Sequence, residues 1–454
     1  MPNHDYGRKA DASNPALRRV LGLPALVFFG LVYMVPLTIF TTYGIVTQIT
    51  GGRAAAAYLV TLGAMSFTAA SYSFMVKRYP IAGSAYSYTN SAFGPNIGFL
   101  TGWSLLLDYL FIPMINYLLI GIFVNLAFPQ IPIWLIIVLA IGVVTVLNVV
   151  GITTVAKASN VIVAAQLAFI VLFVSMSYKT MAGGEPVNLL LPFLGDGGEH
   201  SAGITPLMAG AAILCLSFLG FDAVSTLAEE TRDPQRTLPR AIMLTTIGAG
   251  ILFAVLAYLS QLAHSETTFD NVDTAANEVM LKVGGQWFAN LFTAAFVAGS
   301  LGSAIASQAA VSRIIYTMAR DNYLPRRWLG GLSPRFGTPV AATLLVTSLS
   351  FLTLLIDLTT MASLISFGAL VAFSSVNLAV IRDFLINDSS NRDLGGLVRY
   401  GIIPGVGLCL TMWLWTSLSG LTLSIGVTWF TIGVIYLAVL TSGFKSNVKA
   451  ISIH

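Results

Sequence analysis

The chain is poor in charge. Asp, Glu, Lys and Arg make up 9% of its 454 residues, where soluble proteins carry about 25%, and a buried core alone does not account for so deep a deficit. A water-soluble domain is excluded on that ground. Cysteine is almost absent. Cys215 and Cys409 each sit in an apolar run, with the spacing of neither a disulfide framework nor a metal site. The four histidines, His4, His200, His264 and His454, lie in polar segments. The sequence therefore shows no metal cluster, no Ser-His-Asp set and no glycine-rich phosphate loop. A membrane-enzyme reading has no chemistry to work with, and nothing calls for a cofactor or a metal. A signal-peptide cleavage site is missing too. Roughly 20 polar residues precede the first apolar run and no A-x-A site follows it, so that run reads as a retained helix.

Apolar sequence fills most of the rest, at 56% hydrophobic residues and a mean hydropathy of +0.82. A bilayer core of ~30 Å takes roughly 20 apolar residues per helix. Runs near 23–48, 55–76, 94–124, 132–150, 160–178, 206–227, 241–262, 287–310, 339–356, 361–381, 400–418 and 422–441 predict twelve spans. The fold class is thus an all-α integral membrane protein in a lipid bilayer, with both termini on one side. If that side is cytoplasmic, 20 of the 23 Lys and Arg residues fall in cytoplasmic segments, all but Arg53, Lys179 and Lys282. That asymmetry is the positive-inside signature. The net charge of +4 is accordingly a topology signal and not a nucleic-acid footprint. The longer outer loops, 179–205 and 263–286, are acidic, holding Glu185, Asp196, Glu199, Glu266, Asp270, Asp273 and Glu278. They read as solvated surface, or as a means of concentrating a cationic solute.

Two spans are interrupted. The first carries Tyr33-Met34-Val35-Pro36-Leu37-Thr38 at its middle. The sixth, within Leu207–Arg240, carries Ser217-Phe218-Leu219-Gly220-Phe221-Asp222. Interrupted segments at matching places in two halves point to an inverted repeat with a binding site between them, although a proline inside a span also occurs as a plain kink. Nearly all of the nineteen acidic residues lie in loops or at span ends, but Asp108 and Asp222 are internal. An intramembrane carboxylate costs about 2.5–3.5 kcal/mol on insertion scales and usually faces a cavity. Thr101, Ser104, Asp108 and Asn116 make a polar stripe on one face of the third span, with Tyr109 and Asn116 on a neighbouring face; the alternative is a seam bonding to an adjacent helix. No span holds an internal Lys, Arg or His, so the site has negative character and suits a positively charged substrate. Desolvation favours the neutral form of a carboxylate, which lets a proton and a cation share one group. Phe218, Phe221, Tyr33, Tyr43 and Tyr109 flank the breaks and Asp108, where aromatic faces hold ammonium groups at roughly 0.5–2 kcal/mol each, or simply pack. The small residues of the eighth span permit close packing, and Ser300, Ser303 and Ser307 share a face that could line a path.

Several motifs together resemble the amino acid–polyamine–organocation superfamily. They are Tyr79-Pro80-Ile81-Ala82-Gly83-Ser84-Ala85-Tyr86, Glu229-Glu230-Thr231-Arg232-Asp233-Pro234 with Leu238-Pro239-Arg240, and Ser312-Arg313 through Arg320-Asp321-Asn322-Tyr323-Leu324-Pro325. Gly102 to Asn116, Cys215 to Val224 and Ile365 to Phe373 are similar to the proton-coupled putrescine importers of enteric bacteria. The resemblance runs over nearly the whole chain. It implies two inverted five-helix repeats, 23–178 and 206–381, two peripheral helices in 400–441, and cytoplasmic tails 1–22 and 442–454, in a bacterial inner membrane. The site would lie among spans 1, 3, 6, 8 and 10. Asp222 would be the main cation and proton partner and Asp108 the second charge. Tyr33, Phe218 and Phe221 would form an aromatic wall, Thr38, Thr41 and Ser217 a polar lining, and Val35, Tyr109 and Asn116 further substrate contacts. The implied function is import of a small cationic amine with a proton as coupling ion. An amino-acid/proton symporter or an exchanger is the alternative, and sodium coupling and oligomeric state stay open. Two features depart from the pattern. The break Val35-Pro36-Leu37-Thr38 has no glycine, against the amino-acid carriers, and Thr41 stands where the putrescine importers tend to carry an aspartate.

Overall fold

A computed structural model of the chain describes residues 19, 21–81, 84–150, 155–183, 188–195, 197, 203–320, 323–333 and 336–441. Most of the two tails lies outside the described residues, as do Ala82, Gly83, Asp321 and Asn322 of the motifs above. The described residues form helices and no named strand. With no water in a bilayer core, a continuous helix is the one open-ended way to satisfy the backbone, and the apolar runs take it.

In chain order the α-helices are α1 (Leu23–Met34), α2 (Ile39–Thr50), α3 (Ala54–Arg78), α4 (Ser84–Phe93), α5 (Pro95–Ala127), α6 (Ile133–Val150), α7 (Val155–Gly183), α8 (Leu191–Leu194), α9 (Thr205–Leu214), α10 (Pro234–Ala263), α11 (Ala275–Arg320), α12 (Arg326–Leu329), α13 (Val340–Ser350), α14 (Leu358–Ile381), α15 (Leu394–Leu397), α16 (Ile403–Thr416) and α17 (Gly420–Leu440). Among the described residues, eleven helical segments are long and apolar enough to cross a membrane. The expected ninth span is helical but shorter, Val340–Leu354. Helix α11 is two helices in line, parted at Gly285, whose φ of 72° no helix accommodates.

Both expected interruptions are real. Helix α1 stops at Val35 (φ 53°, ψ 99°), a conformation that is an outlier for a β-branched residue. Pro36 then starts a single 3₁₀ turn, Pro36–Thr38, before α2 resumes. The turn closes with Thr38 N donating to Val35 O at 2.7 Å and the Thr38 hydroxyl donating to Met34 O at 2.7 Å. Helix α9 gives way to a 3₁₀ turn at Cys215–Phe218, leaves helix at Leu219–Asp222 and continues as 3₁₀ over Ala223–Glu230. Gly220 adopts φ 133° there, and a Cβ on it would meet Met34 Cγ at 2.9 Å and Tyr33 Cδ1 at 3.0 Å. The two breaks therefore rest on each other. Arg232 N donates to Leu21 O at 2.9 Å, joining the segment before α1 to the one after the second break.

Helix α5 runs through the middle, with α11 and α14 packed along it and α3 packed on α10. Helix α17 is fastened to α5 by a reciprocal pair. Trp103 Nε1 donates to Trp429 O and Trp429 Nε1 to Trp103 O, both at 2.9 Å, with the rings stacked at 4.8 Å. A buried polar cluster joins α6, α11 and α13. In it Asn148 Nδ2 donates to Gln308 Oε1 at 2.7 Å, and Gln308 Nε2 to Thr347 Oγ1 at 3.1 Å.

One end of the bundle carries an ion-pair tie between α3 and the π-turn that follows α14. Arg78 Nε is 3.0 Å from Asp383 Oδ2 and Nη1 is 3.4 Å from Asp388 Oδ2. The Tyr79 hydroxyl donates to Asp383 Oδ1 at 3.2 Å, and the guanidinium lies 4.7 Å over the Phe384 ring. Bonds from the Ser390 hydroxyl and amide, together with the nearby Arg78, hold the Asp388 carboxyl below the ordinary carboxylate range. That partner is charged at neutral pH, and its contribution is lost only as acidification passes the depressed value. Asp383 is the buried member of the tie, so Asp383→Asn should cost about 1–2 kcal/mol. Thermal unfolding of the detergent-solubilised protein measures this; an unchanged midpoint would mean that the tie adds nothing.

Candidate functional site

The second break delivers Asp222 to the interior, where it is 4% exposed. Gly220 N donates to its Oδ1 at 3.2 Å and Ser84 Oγ donates to its Oδ2 at 3.4 Å. Ser84 begins α4 with φ 51°, a left-handed conformation in a non-glycine residue. Backbone held there costs of order 1–3 kcal/mol and persists only where the surroundings fix it. Asp108 is 2% exposed on α5, and its Oδ1 has no hydrogen-bond partner. Its neighbour across α14 is Gly368, where a Cβ would meet Asp108 Cβ at 2.8 Å, Asp108 N at 2.9 Å and Ser104 O at 3.0 Å. The glycine thus lets α14 press on α5 at the acid.

The two carboxylates lie within electrostatic reach of each other and share a set of tyrosines. Tyr33, Tyr72 and Tyr109 feel both acids, and Tyr88 feels Asp222. The hydroxyls of Tyr33, Tyr72 and Tyr88 make no hydrogen bond of ordinary geometry, although Tyr109, Ser84 and Ser225 respectively stand near them, and neither acid has a basic partner among the described residues. An unpaired buried polar group costs about 1–3 kcal/mol, and native proteins leave few of them. Two buried acids thus lie among tyrosine hydroxyls that are not committed to strong bonds.

Two cavities adjoin this chamber. One is walled by Tyr33, Met34, Val35, Thr38, Thr41, Ile112, Ile115, Asn116, Leu119, Leu216, Leu219 and Ser303. The other runs between α1, α7 and α11 and is lined by Phe29, Val32, Tyr33, Val35, Ile162, Gln166, Gly299, Gly302, Ser303, Ala306 and Ser307. Tyr33, Val35 and Ser303 line both. Neither cavity is walled by an acid.

The residues expected at the site therefore divide. Asp108, Tyr109 and Asp222 lie at the acidic chamber, Val35, Thr38, Thr41 and Asn116 at the neutral cavity, and Tyr33 between them. Ser217 and Phe218 turn elsewhere. The Ser217 hydroxyl pairs with the Tyr58 hydroxyl at 3.0 Å, and Phe218 packs edge-on to Phe253 at 5.9 Å and against Gly250. The reason is the 3₁₀ turn, which advances 120° per residue where an α-helix advances 100° and so rotates this face toward α3 and α10. Phe221 stacks on Phe373 at 5.2 Å and meets Tyr72 edge-on at 5.5 Å, backing the chamber and not facing a cavity. Sequence reasoning missed Tyr72, Tyr88, Ser84 and Gln166. Only Ser84 carried a signal, its place in the motif after the second span.

A family model described as amino acid permease matches residues 25–444. The low-affinity putrescine importer PlaP of Escherichia coli K12 is 39% identical over 445 residues, spanning 96% of this chain and 97% of that protein. The branched-chain amino acid permease BcaP of Bacillus subtilis is 26% identical over 455 residues, 94% of each. The vacuolar cationic amino acid transporter 4 of Arabidopsis thaliana is 28% identical over 352 residues, covering 73% of this chain and 57% of that protein.

The contact between α14 and α5 can be tested directly. In Gly368→Ala the new methyl meets backbone atoms of Asp108 and Ser104 that move only if α5 moves. Overpacking of this kind costs about 1–3 kcal/mol, read as a lower thermal midpoint in detergent. A variant as stable as wild type would show that the helices have room to spare at the acid.

Proposed function

The chain belongs to the amino acid permease family, and from that premise we propose that it imports a small organic amine, putrescine-like in size, by symport with protons. One observation carries this reading: Asp108 and Asp222 are buried among tyrosine hydroxyls, with no basic residue among those described to neutralise them. Charge taken from water is expensive unless paired, and an ammonium group supplies both the counter-charge and three donors. The tyrosine faces add cation–π attraction.

In this reading Asp222 holds the cation or a proton in turn, through a carboxylate already oriented by Gly220 N and Ser84 Oγ, and Asp108 provides the second charge. The repeats 23–178 and 206–381 supply the two broken helices. In this reading the end carrying Arg78 and both termini face the cytoplasm, which the distribution of Lys and Arg supports. Alternating access follows if the bundle containing the breaks rocks against α5 and α11 around the acids.

The test is uptake of radiolabelled putrescine into proteoliposomes under an imposed pH gradient, wild type beside Asp222→Asn. Accumulation driven by the gradient and reduced at least about tenfold by the substitution is the expected result. Uptake indifferent to Asp222→Asn would overturn the role of this acid, and uptake that follows concentration alone would overturn proton coupling. Competition by amino acids but not by amines would point to the amino-acid symporter alternative.

A further inference from the structure

The acidic chamber and the neutral cavity beside it differ in what they can bind. The neutral cavity's polar atoms are largely committed. Asn116 uses both amide donors, Nδ2 giving hydrogen bonds to Ile112 O at 2.8 Å and to Ser303 Oγ at 3.1 Å. Its Oδ1 is left as an acceptor. The Thr38 hydroxyl donates to Met34 O. Thr41 is buried and adds a hydroxyl to the wall. The cavity thus offers neutral acceptors and no negative charge.

Asp108 and Asn116 stand eight residues apart on α5, about 12 Å along its axis and about 80° apart around it. A contact of about 3 Å at each end leaves roughly 6–8 Å for the ligand between them. Four methylenes separating two heteroatoms span about that length, at ~1.25 Å of advance per bond. A second ammonium at the Asn116 end would lose its hydration without gaining a counter-charge, whereas a hydroxyl or amide donor loses little and satisfies Asn116 Oδ1.

We propose that the site is asymmetric, and that Asn116 makes it so. It takes an amine with one ammonium and, about four carbons away, an uncharged hydrogen-bond donor, in preference to a symmetric diamine. The inference rests on the reading above, in which Asp108 and Asp222 hold the ammonium, and it adds the chemistry of the substrate's other end.

The experiment measures ligand-induced thermal stabilisation of the detergent-solubilised full chain, which needs no labelled substrate. The probes are putrescine, 4-aminobutan-1-ol and butan-1-amine, each titrated to an apparent Kd. In wild type the amino alcohol should bind about tenfold more tightly than the diamine, and more tightly than butylamine, which lacks the second donor. Asn116→Asp is nearly isosteric and adds one negative charge at that end, so the diamine should then bind about tenfold more tightly than the amino alcohol. Ser303→Asp charges the same wall while keeping an acceptor for Asn116 Nδ2. It should shift the ratio in the same direction, should the first variant fail to fold.

Putrescine equal to or tighter than the amino alcohol in wild type would overturn the inference, as would a ratio unmoved by the acidic substitutions in folded protein. Either result, with binding of both amines abolished in Asp222→Asn, leaves the amine-transport reading standing. No stabilisation by any of the three amines would sink that reading and this one together.

Discussion

A backbone that leaves a helix inside a bilayer must find every partner within the protein, and this chain leaves twice at one spot. Val35 sits in a conformation costing of order 1–3 kcal/mol, and the turn after it is closed by the amide and hydroxyl of Thr38. The second break solves the same problem with its own side chain, because the Gly220 amide donates to Asp222. The two solutions are coupled through contact. Gly220 leaves no space for a Cβ because Tyr33 and Met34 occupy it. The acid, the free backbone and the aromatic ring between the cavities are thereby positioned by one another. A shift in either break moves all three.

The treatment of charge separates permanent pairs from open ones. At one end of the bundle Asp383 receives Arg78 and Tyr79, with Phe384 under the guanidinium. That carboxylate has a basic partner from within the fold. Asp222 receives only the Gly220 amide and a long bond from Ser84, and Asp108 keeps one oxygen unpaired. The chain thus supplies a cation of its own to one buried carboxylate and, among the described residues, none to Asp108 and Asp222.

How far the sequence could be read follows from the range of each contact. The breaks and the two acids were legible, because proline, glycine and carboxylate inside apolar runs are local anomalies. The division of the expected residues into two compartments was not. It depends on the chain running as 3₁₀ from Cys215, which turned Ser217 and Phe218 away from the faces an α-helical spacing assigns them. Tyr72 and Tyr88 stood in ordinary aromatic segments, and only tertiary packing brings their hydroxyls near Asp222. Ser84 reaches Asp222 across 138 positions of sequence, beyond any periodic signal. The shortness of the ninth helical segment was equally hidden, since its apolar run continues past the point where the helix tightens into a 3₁₀ turn.

The placement of the polar groups along α5 has a mechanical consequence. Asp108 and Asn116 belong to one uninterrupted helix of 33 residues, so the distance between them is set by helical pitch. Pro113 lies between them and has no amide to give, and Asn116 Nδ2 donates to Ile112 O one residue before it. Asp222, Thr38 and Thr41 belong instead to segments that begin or end at breaks. A ligand touching both sets of groups is held at a fixed length by α5 and by whatever arrangement the broken segments then have. If the bundle rocks at the breaks, the contacts along α5 persist and those to the broken helices change. Length and terminal chemistry would then be read by the rigid helix, and occupancy would be sensed by the hinged ones. That division of labour requires Tyr33 to stay between the compartments, which is where the contact with Gly220 keeps it.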